Sequence, residues 1–187
     1  MDAGRSDARR NVDAILIAAR DALAEDPRAE LSAIAARAGV HRVTLHRHFP
    51  TREDLLARLY ESYLDDAEAV IRDTDPQAED LLEEIASLTR RLYEVNLRWR
   101  AFAWAPAYSA EAQSRRTEMT AANVALFQAA ADRGVLRPDL SLRQILATWG
   151  APILFLSSRV SEGSWTLDEV VDHTLLLLTG PRPSRLP

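Results

Sequence analysis

The chain is expected to be all-α, and three observations carry that expectation. Apolar residues recur three and four positions apart along almost the whole length, and the two-residue alternation of a half-buried strand is absent. Glycine occurs only six times in 187 residues, while Ala, Leu, Arg and Glu, all good helix formers, dominate. Breakers such as Pro27, Gly39, Pro50, Pro76 and Gly134 cut the pattern into pieces of helical length.

The elements follow in order. Val12, Ile15, Leu16, Ala19 and Leu23 form a stripe from Ala8 to Ala24, and Asp26-Pro27 ends it. Leu31, Ile34, Ala35 and Ala38 make a short second helix stopped by Gly39. Val40, Leu45 and Phe49 belong to a third, stopped by Pro50. Thr51 caps a long fourth helix, with Asp54 three residues later in the manner of a capping box, and Leu55, Leu56, Leu59, Tyr63 and Val70 are its apolar positions. After Asp75-Pro76 a helix over 78–98 carries Leu81, Leu82, Ile85, Leu88, Leu92 and Val95. A short aromatic segment, Trp99 to Tyr108, is broken by Pro106. The next helix, over 110–133, ends at Gly134. Ser141 caps a helix over 142–160 with Pro152 inside it as a kink. A turn at Glu162-Gly163-Ser164 leads to the last helix, Leu167 to Thr179. The tail from Gly180 has three prolines in eight residues and is expected to be disordered. Counting the aromatic segment, nine helices result: three short and basic, then six longer and largely acidic. Residues 1–50 are expected to form one domain, 51–180 a second and 181–187 a tail, with the helix from Thr51 as a rigid junction.

Composition narrows the chemistry. There is no cysteine, which excludes disulfides, thiolate metal sites and thiol nucleophiles. Met1 to Arg10 has no apolar stretch of the secretory type, and no run of apolar residues is long enough to span a bilayer, so a cytoplasmic protein without membrane contact is expected. Every basic residue among the 23 is Arg, the side chain better suited to bidentate contact with guanine and phosphate. The net charge is −5, which argues against indiscriminate binding to nucleic acid, but the charge is unevenly spread. From Arg37 to Arg52 there are four Arg, three His and no acid. In a net-acidic chain, that window is where an anionic partner is expected.

The same window holds the motif. In Ile34-Ala35-Ala36-Arg37-Ala38-Gly39-Val40, a small Ala35 permits close helix crossing, Gly39 sits where the chain reverses, and Val40 plugs the core. The following His41-Arg42-Val43-Thr44-Leu45-His46-Arg47-His48-Phe49 turns Leu45 and Phe49 inward and leaves Arg42, Val43, His46 and Arg47 on other faces. These are the demands of a helix-turn-helix whose second helix enters the major groove.

At these residues the chain resembles the TetR family of bacterial regulators (TetR/AcrR type). Ile34-Ala35, Ala38-Gly39-Val40, Thr44-Leu45 and His48-Phe49, then Glu53 and Leu55, stand in the order and spacing of that family's signature. The match is close over about a quarter of the chain, and the loop Arg133 to Asp139 has a common family form before the dimerising helices. His41 stands where the family usually has a capping Ser, His46 where it has Tyr, and Glu30 where Ser or Thr often caps the second helix. The resemblance implies a nine-helix TetR-like architecture and a dimeric repressor. A small apolar or aromatic effector would release it from a palindromic double-stranded operator. A regulator acting as an activator, or through protein partners without an effector, is the alternative. By resemblance, Arg42, Val43 and Arg47 read base edges with Ser32 reaching in from the second helix, while Thr44, His46, His48 and Arg52 contact phosphates. Three His on that face would each gain charge in mild acid and strengthen phosphate attraction.

The rear half is expected to sense a ligand and to dimerise. Aromatics concentrate at Tyr93, Trp99, Phe102, Trp104 and Tyr108, with Phe127 and Trp149 further on, and the resemblance puts these helices around the pocket. Asn96, Arg100 and Asn123 are the candidate polar contacts. The last two helices are apolar over more than one face, and the resemblance makes them the homodimer interface. No Gly-rich phosphate loop, metal-ligand cluster or nucleophile motif is present, and His173 stands alone on its helix, so no enzyme activity, catalytic residue, metal or cofactor is expected.

Overall fold

The computed structural model describes residues 3–102 and 109–180. Trp104, Tyr108 and the tail 181–187 lie outside the described residues, as does most of the short aromatic segment expected as one of the nine helices. Among the described residues there are eight helices and no strand: α1 (Ala3–Glu25), α2 (Leu31–Arg37), α3 (Arg42–His48), α4 (Arg52–Arg72), α5 (Leu81–Arg98), α6 (Ala110–Asp132), α7 (Leu142–Ser161) and α8 (Leu167–Thr179). None of them is long and apolar enough to cross a membrane.

Local chemistry sets the boundaries. Thr51 and Asp54 make the capping box expected of them: the Thr51 hydroxyl accepts from the Asp54 N–H at 3.1 Å, and the Asp54 carboxylate accepts from the Thr51 N–H at 3.0 Å. Thr166 and Glu169 make a second box at the start of α8. α5 begins at Leu81, three residues later than the periodicity predicts, because Asp80 accepts from the N–H groups of Leu82 and Glu83, both at 3.0 Å. A cap that strong outweighs an apolar pattern that continues upstream of it. α7 runs through Pro152.

Two apolar cores result, and they meet on α4 and α5. The front core gathers Ile15, Ala19 and Leu23 of α1, Ile34 and Ala35 of α2, and Leu45 and Phe49, against Leu55, Leu59 and Leu64 of α4. Val95 of α5 and the following Trp99 and Phe102 complete it. The rear core joins Leu81, Ile85 and Leu88 of α5, Leu126 and Phe127 of α6, Ile145 and Trp149 of α7, and Val170 and Leu178 of α8. Val70, Leu92 and Met119 touch both cores. Each such side chain, fully buried, contributes roughly 1.5–3 kcal/mol. The front bundle is therefore seated on the rear one by shared packing, with α4 passing directly from one core to the other.

Candidate nucleic-acid interface and apolar recess

The turn between α2 and α3 is built by hydrogen bonds that only one residue type accommodates comfortably. Gly39 N–H donates to Ala36 O at 3.2 Å and Val40 N–H to Ala35 O at 3.1 Å, which closes α2 with a Schellman motif. Gly39 has φ +67°, and a Cβ placed there would meet nothing within 4 Å, so the glycine is required by backbone conformation and not by crowding. Val40 then turns back against the front core.

α3 stands on a narrow support. Leu45 is fully buried and Phe49, its C-cap, nearly so. On the outer side Val43 is 79% exposed, an unusual position for a large apolar side chain. Arg42 and Arg47 are exposed, and Thr44, His46 and His48 are half-buried. Arg42 Nε donates to His46 Nε2 at 3.3 Å, so the two side chains lie together one helical turn apart. Among the described residues no carboxylate pairs with Arg42 or Arg47. His41 caps α3 with its backbone alone, and its side chain is exposed.

Beside this surface lies a basic notch of about 520 Å³ between the α1–α2 loop, α2 and α3. Arg28, Ser32, Arg42, His46 and Arg52 line it, together with one acid, Glu30. Arg28 is a residue that sequence reasoning missed, because a lone Arg after Pro27 has no periodicity or motif to mark it. Arg52 is already engaged: its guanidinium donates to the carbonyls of Ala29 and Pro27, which pins the α1–α2 loop to the start of α4. The Ser32 hydroxyl donates to Glu30 at 3.1 Å. The three histidines are not equivalent. His46 Nε2 accepts from Arg42, His48 Nε2 is buried without a hydrogen bond, and His41 alone of the three is exposed.

In the rear half, a recess of about 160 Å³ opens among α4, α5, α6 and α7. Of the ten aromatic and polar residues expected around a pocket, Asn96, Asn123 and Trp149 line it. Leu64, Ile71, Leu92, Met119 and Ile153 supply most of the apolar wall, with Gly150 at one edge. Tyr63 donates from its hydroxyl to Asn96 Oδ1 at 3.3 Å. Burial raises the pKa of Tyr63, and the nearby Arg116 opposes the rise. Asn123 is 5% exposed; its Nδ2 donates to Met119 O at 3.3 Å, and its Oδ1 is buried without a donor. Tyr63, Met119, Gly150 and Ile153 were not distinguishable in sequence from ordinary core positions.

The other expected pocket residues sit elsewhere. Trp99 packs edge-on against Phe102 in the front core, donates from Nε1 to Asp66 at 2.7 Å, and lies under the Arg20 guanidinium at 5.9 Å. Arg100 donates to Ala24 O, the end of α1, at 3.2 Å. These three residues therefore join the end of α5 to α1. Tyr93 faces α8, its hydroxyl 3.5 Å from that of Thr174, and burial pushes its pKa up to about 12. Phe127 stacks at a tilt on Trp149, 4.8 Å between centroids, behind the recess. Trp149 Nε1 donates to Thr89 at 3.0 Å.

Comparison with known proteins matches both parts. Residues 15–59 fit the model of the bacterial regulatory proteins, tetR family. The HTH-type transcriptional repressor LfrR of Mycolicibacterium smegmatis is 49% identical over 63 residues, which is 34% of this chain and 33% of that protein, so the chain spans about a third of the length of the curated relative it matches. Over the whole fold, the crystal structure of the TetR-like regulator LfrR from Mycobacterium smegmatis in complex with proflavine superposes with a TM-score of 0.72 at 24% identity, covering 95% of this chain and 99% of that one. The fatty acid degradation regulator FadR of Bacillus halodurans superposes with a TM-score of 0.68 at 22% identity, covering 91% and 96%. The front segment, residues 15–59, thus carries the sequence signature of the tetR family, and the chain as a whole shares the helical fold of these solved structures.

Proposed function

We propose that the protein is a sequence-specific DNA-binding transcriptional repressor that works as a homodimer and leaves its operator when a small apolar effector binds. The observation that carries this reading is the outer face of α3: Arg42, Val43 and Arg47 are exposed together and meet no carboxylate, in a chain of net charge −5. An unpaired Arg offers the fork that matches guanine O6 and N7, and an exposed Val is suited to the methyl group of thymine. Thr44, His46, Arg28 and the edge of the notch would meet phosphates and set register. Ser32 and Arg52 would take part after giving up a hydrogen bond within the protein, and His48 through its accessible edge.

In this reading residues 1–50 read DNA, and 51–180 bind the effector and dimerise. α7 and α8 are the dimer surface, supported by Leu176, 52% exposed on α8. A dimer is needed because two recognition helices must reach successive major grooves, about 34 Å apart. The recess is the effector site, and ligand binding there selects a conformation with the wrong helix spacing for the operator. Contacts of Trp99 and Arg100 with the front bundle support such coupling. The protein acts in the cytoplasm and without a catalytic step.

The test is selection of bound fragments from the host genome, followed by mobility shifts over a salt series. Binding should weaken steeply with salt, and Arg42→Ala and Arg47→Ala should each lose sequence preference. Selection that returns no common sequence would sink the reading. Sedimentation of the free protein tests the dimer.

A further inference from the structure

The recess carries information on what it takes, provided that it is the effector site as proposed above. Its size comes first. Drug-sized ligands occupy pockets of roughly 300–1,000 Å³, and an engineered apolar cavity of about 150 Å³ in another protein takes one benzene ring. At about 160 Å³ the recess is of single-ring size. A larger hollow of about 320 Å³ lies across Ile71 and Met119, but Glu68, Arg72, Arg115 and Glu118 line it, and Glu68 and Arg115 form an ion pair between α4 and α6. It does not extend the apolar volume.

Charge comes second. Among the described residues that line the recess there is one cation, Arg116, and no carboxylate. The charge of Arg116 is felt at the Tyr63 hydroxyl. A ligand cation would have to enter against it with no partner inside, and burying an unpaired charge is costly.

Hydrogen bonding comes third. The Tyr63 proton is committed to Asn96, which leaves the phenolic oxygen as an acceptor. The Asn123 amide is oriented by its Nδ2 donation to Met119 O, which leaves buried Oδ1 as a second acceptor with no donor. An acceptor left unsatisfied in such a place costs about 1–3 kcal/mol. A ligand that brings a donor recovers part of it; an isosteric hydrocarbon does not.

We propose that this recess binds an uncharged single-ring compound bearing one hydroxyl donor, whose proton goes to Asn123 Oδ1, and that multi-ring cations are excluded. Phenol, toluene, benzylammonium and proflavine are the probes, with the full-length protein. Phenol and toluene differ by a hydroxyl in place of a methyl. Titration calorimetry should give phenol a Kd roughly tenfold below that of toluene, as one net hydrogen bond implies. Benzylammonium and proflavine should give no saturable binding. Asn123→Leu, close in shape, should bring phenol and toluene to the same Kd. Gly150→Leu should abolish both, because a Cβ at Gly150 meets nothing within 4 Å and the side chain can grow into the recess. Leu is also the better helix former, so that variant should fold, which its thermal melt checks. Equal binding of phenol and toluene by the unaltered protein, or tighter binding of either cation, overturns the proposal. Mobility shifts separate it from the effector reading. An operator complex dissolved by proflavine but not by phenol leaves an effector site standing and rejects this ligand class. An operator complex dissolved by none of the probes, with no binding by calorimetry, rejects both.

Discussion

The outer face of α3 and the rear of the molecule use arginine in opposite ways. On the rear, Arg115 of α6 is surrounded by Glu61, Asp65 and Glu68 of α4, and its hydrogen bonds to Asp65 and Glu68 measure 2.9 and 2.8 Å. Arg98 and Arg91 likewise lie on Asp66 and on Asp73 and Glu84. On the outer face of α3, Arg42 meets only His46 and Arg47 meets no acid. An acidic protein thus presents a cationic face by keeping carboxylates away from one short helix. The local field there depends on neighbours within about a Debye length, not on the total charge. The rear arginines join helices; those on α3 are left for a partner.

Four changes test that contrast, beginning with the largest effect. α3 rests on little more than Leu45 and Phe49, so Leu45→Ala should cost about 2–5 kcal/mol in urea unfolding and abolish operator binding with it. A loss below about 1 kcal/mol would mean that α3 has other support. Next, Arg47→Ala should weaken operator binding by about 1–3 kcal/mol with little change in stability. Arg115→Ala should do the reverse, lowering stability while the ligand-free protein keeps its operator affinity. Equal effects of the two on DNA binding would erase the distinction. Third, the two glycines should respond with opposite signs. Gly39→Ala forces a side chain into left-handed backbone and should cost about 1–2 kcal/mol, whereas Gly150→Ala, inside α7 with open space beside it, should gain up to about 1 kcal/mol. The smallest effect concerns pH. The Glu25 carboxyl is held below its ordinary pKa, first by its hydrogen bond from Arg37 and then by that residue's charge. A lowered folded-state pKa means that the pair stabilises fully above the unfolded carboxylate value and stops doing so as pH falls through the lowered one. Arg37→Gln should therefore flatten a shallow acid limb of the stability profile and leave neutral salt dependence almost unaltered.

The sequence alone determined the parts that are local. Helical periodicity named every described helix, because one buried face repeats each turn whatever lies opposite. Thr51 with Asp54 marked the start of α4, and Gly39 marked the reversal before α3, because caps and left-handed turns need particular atoms a few residues apart. The cationic window from Arg37 to Arg52 was legible for the same reason. The tertiary structure decided what depends on helices distant in sequence. Trp99 and Phe102 have the composition of pocket residues, yet they complete the front core, because Asp66 and Arg20 provide the partners there. Asn96, Asn123 and Trp149 meet around one recess with Tyr63, Met119 and Gly150 because α4 to α7 converge there. A core position and a recess position share one periodicity. They differ only in whether the facing helix fills the space, and no single helix records that.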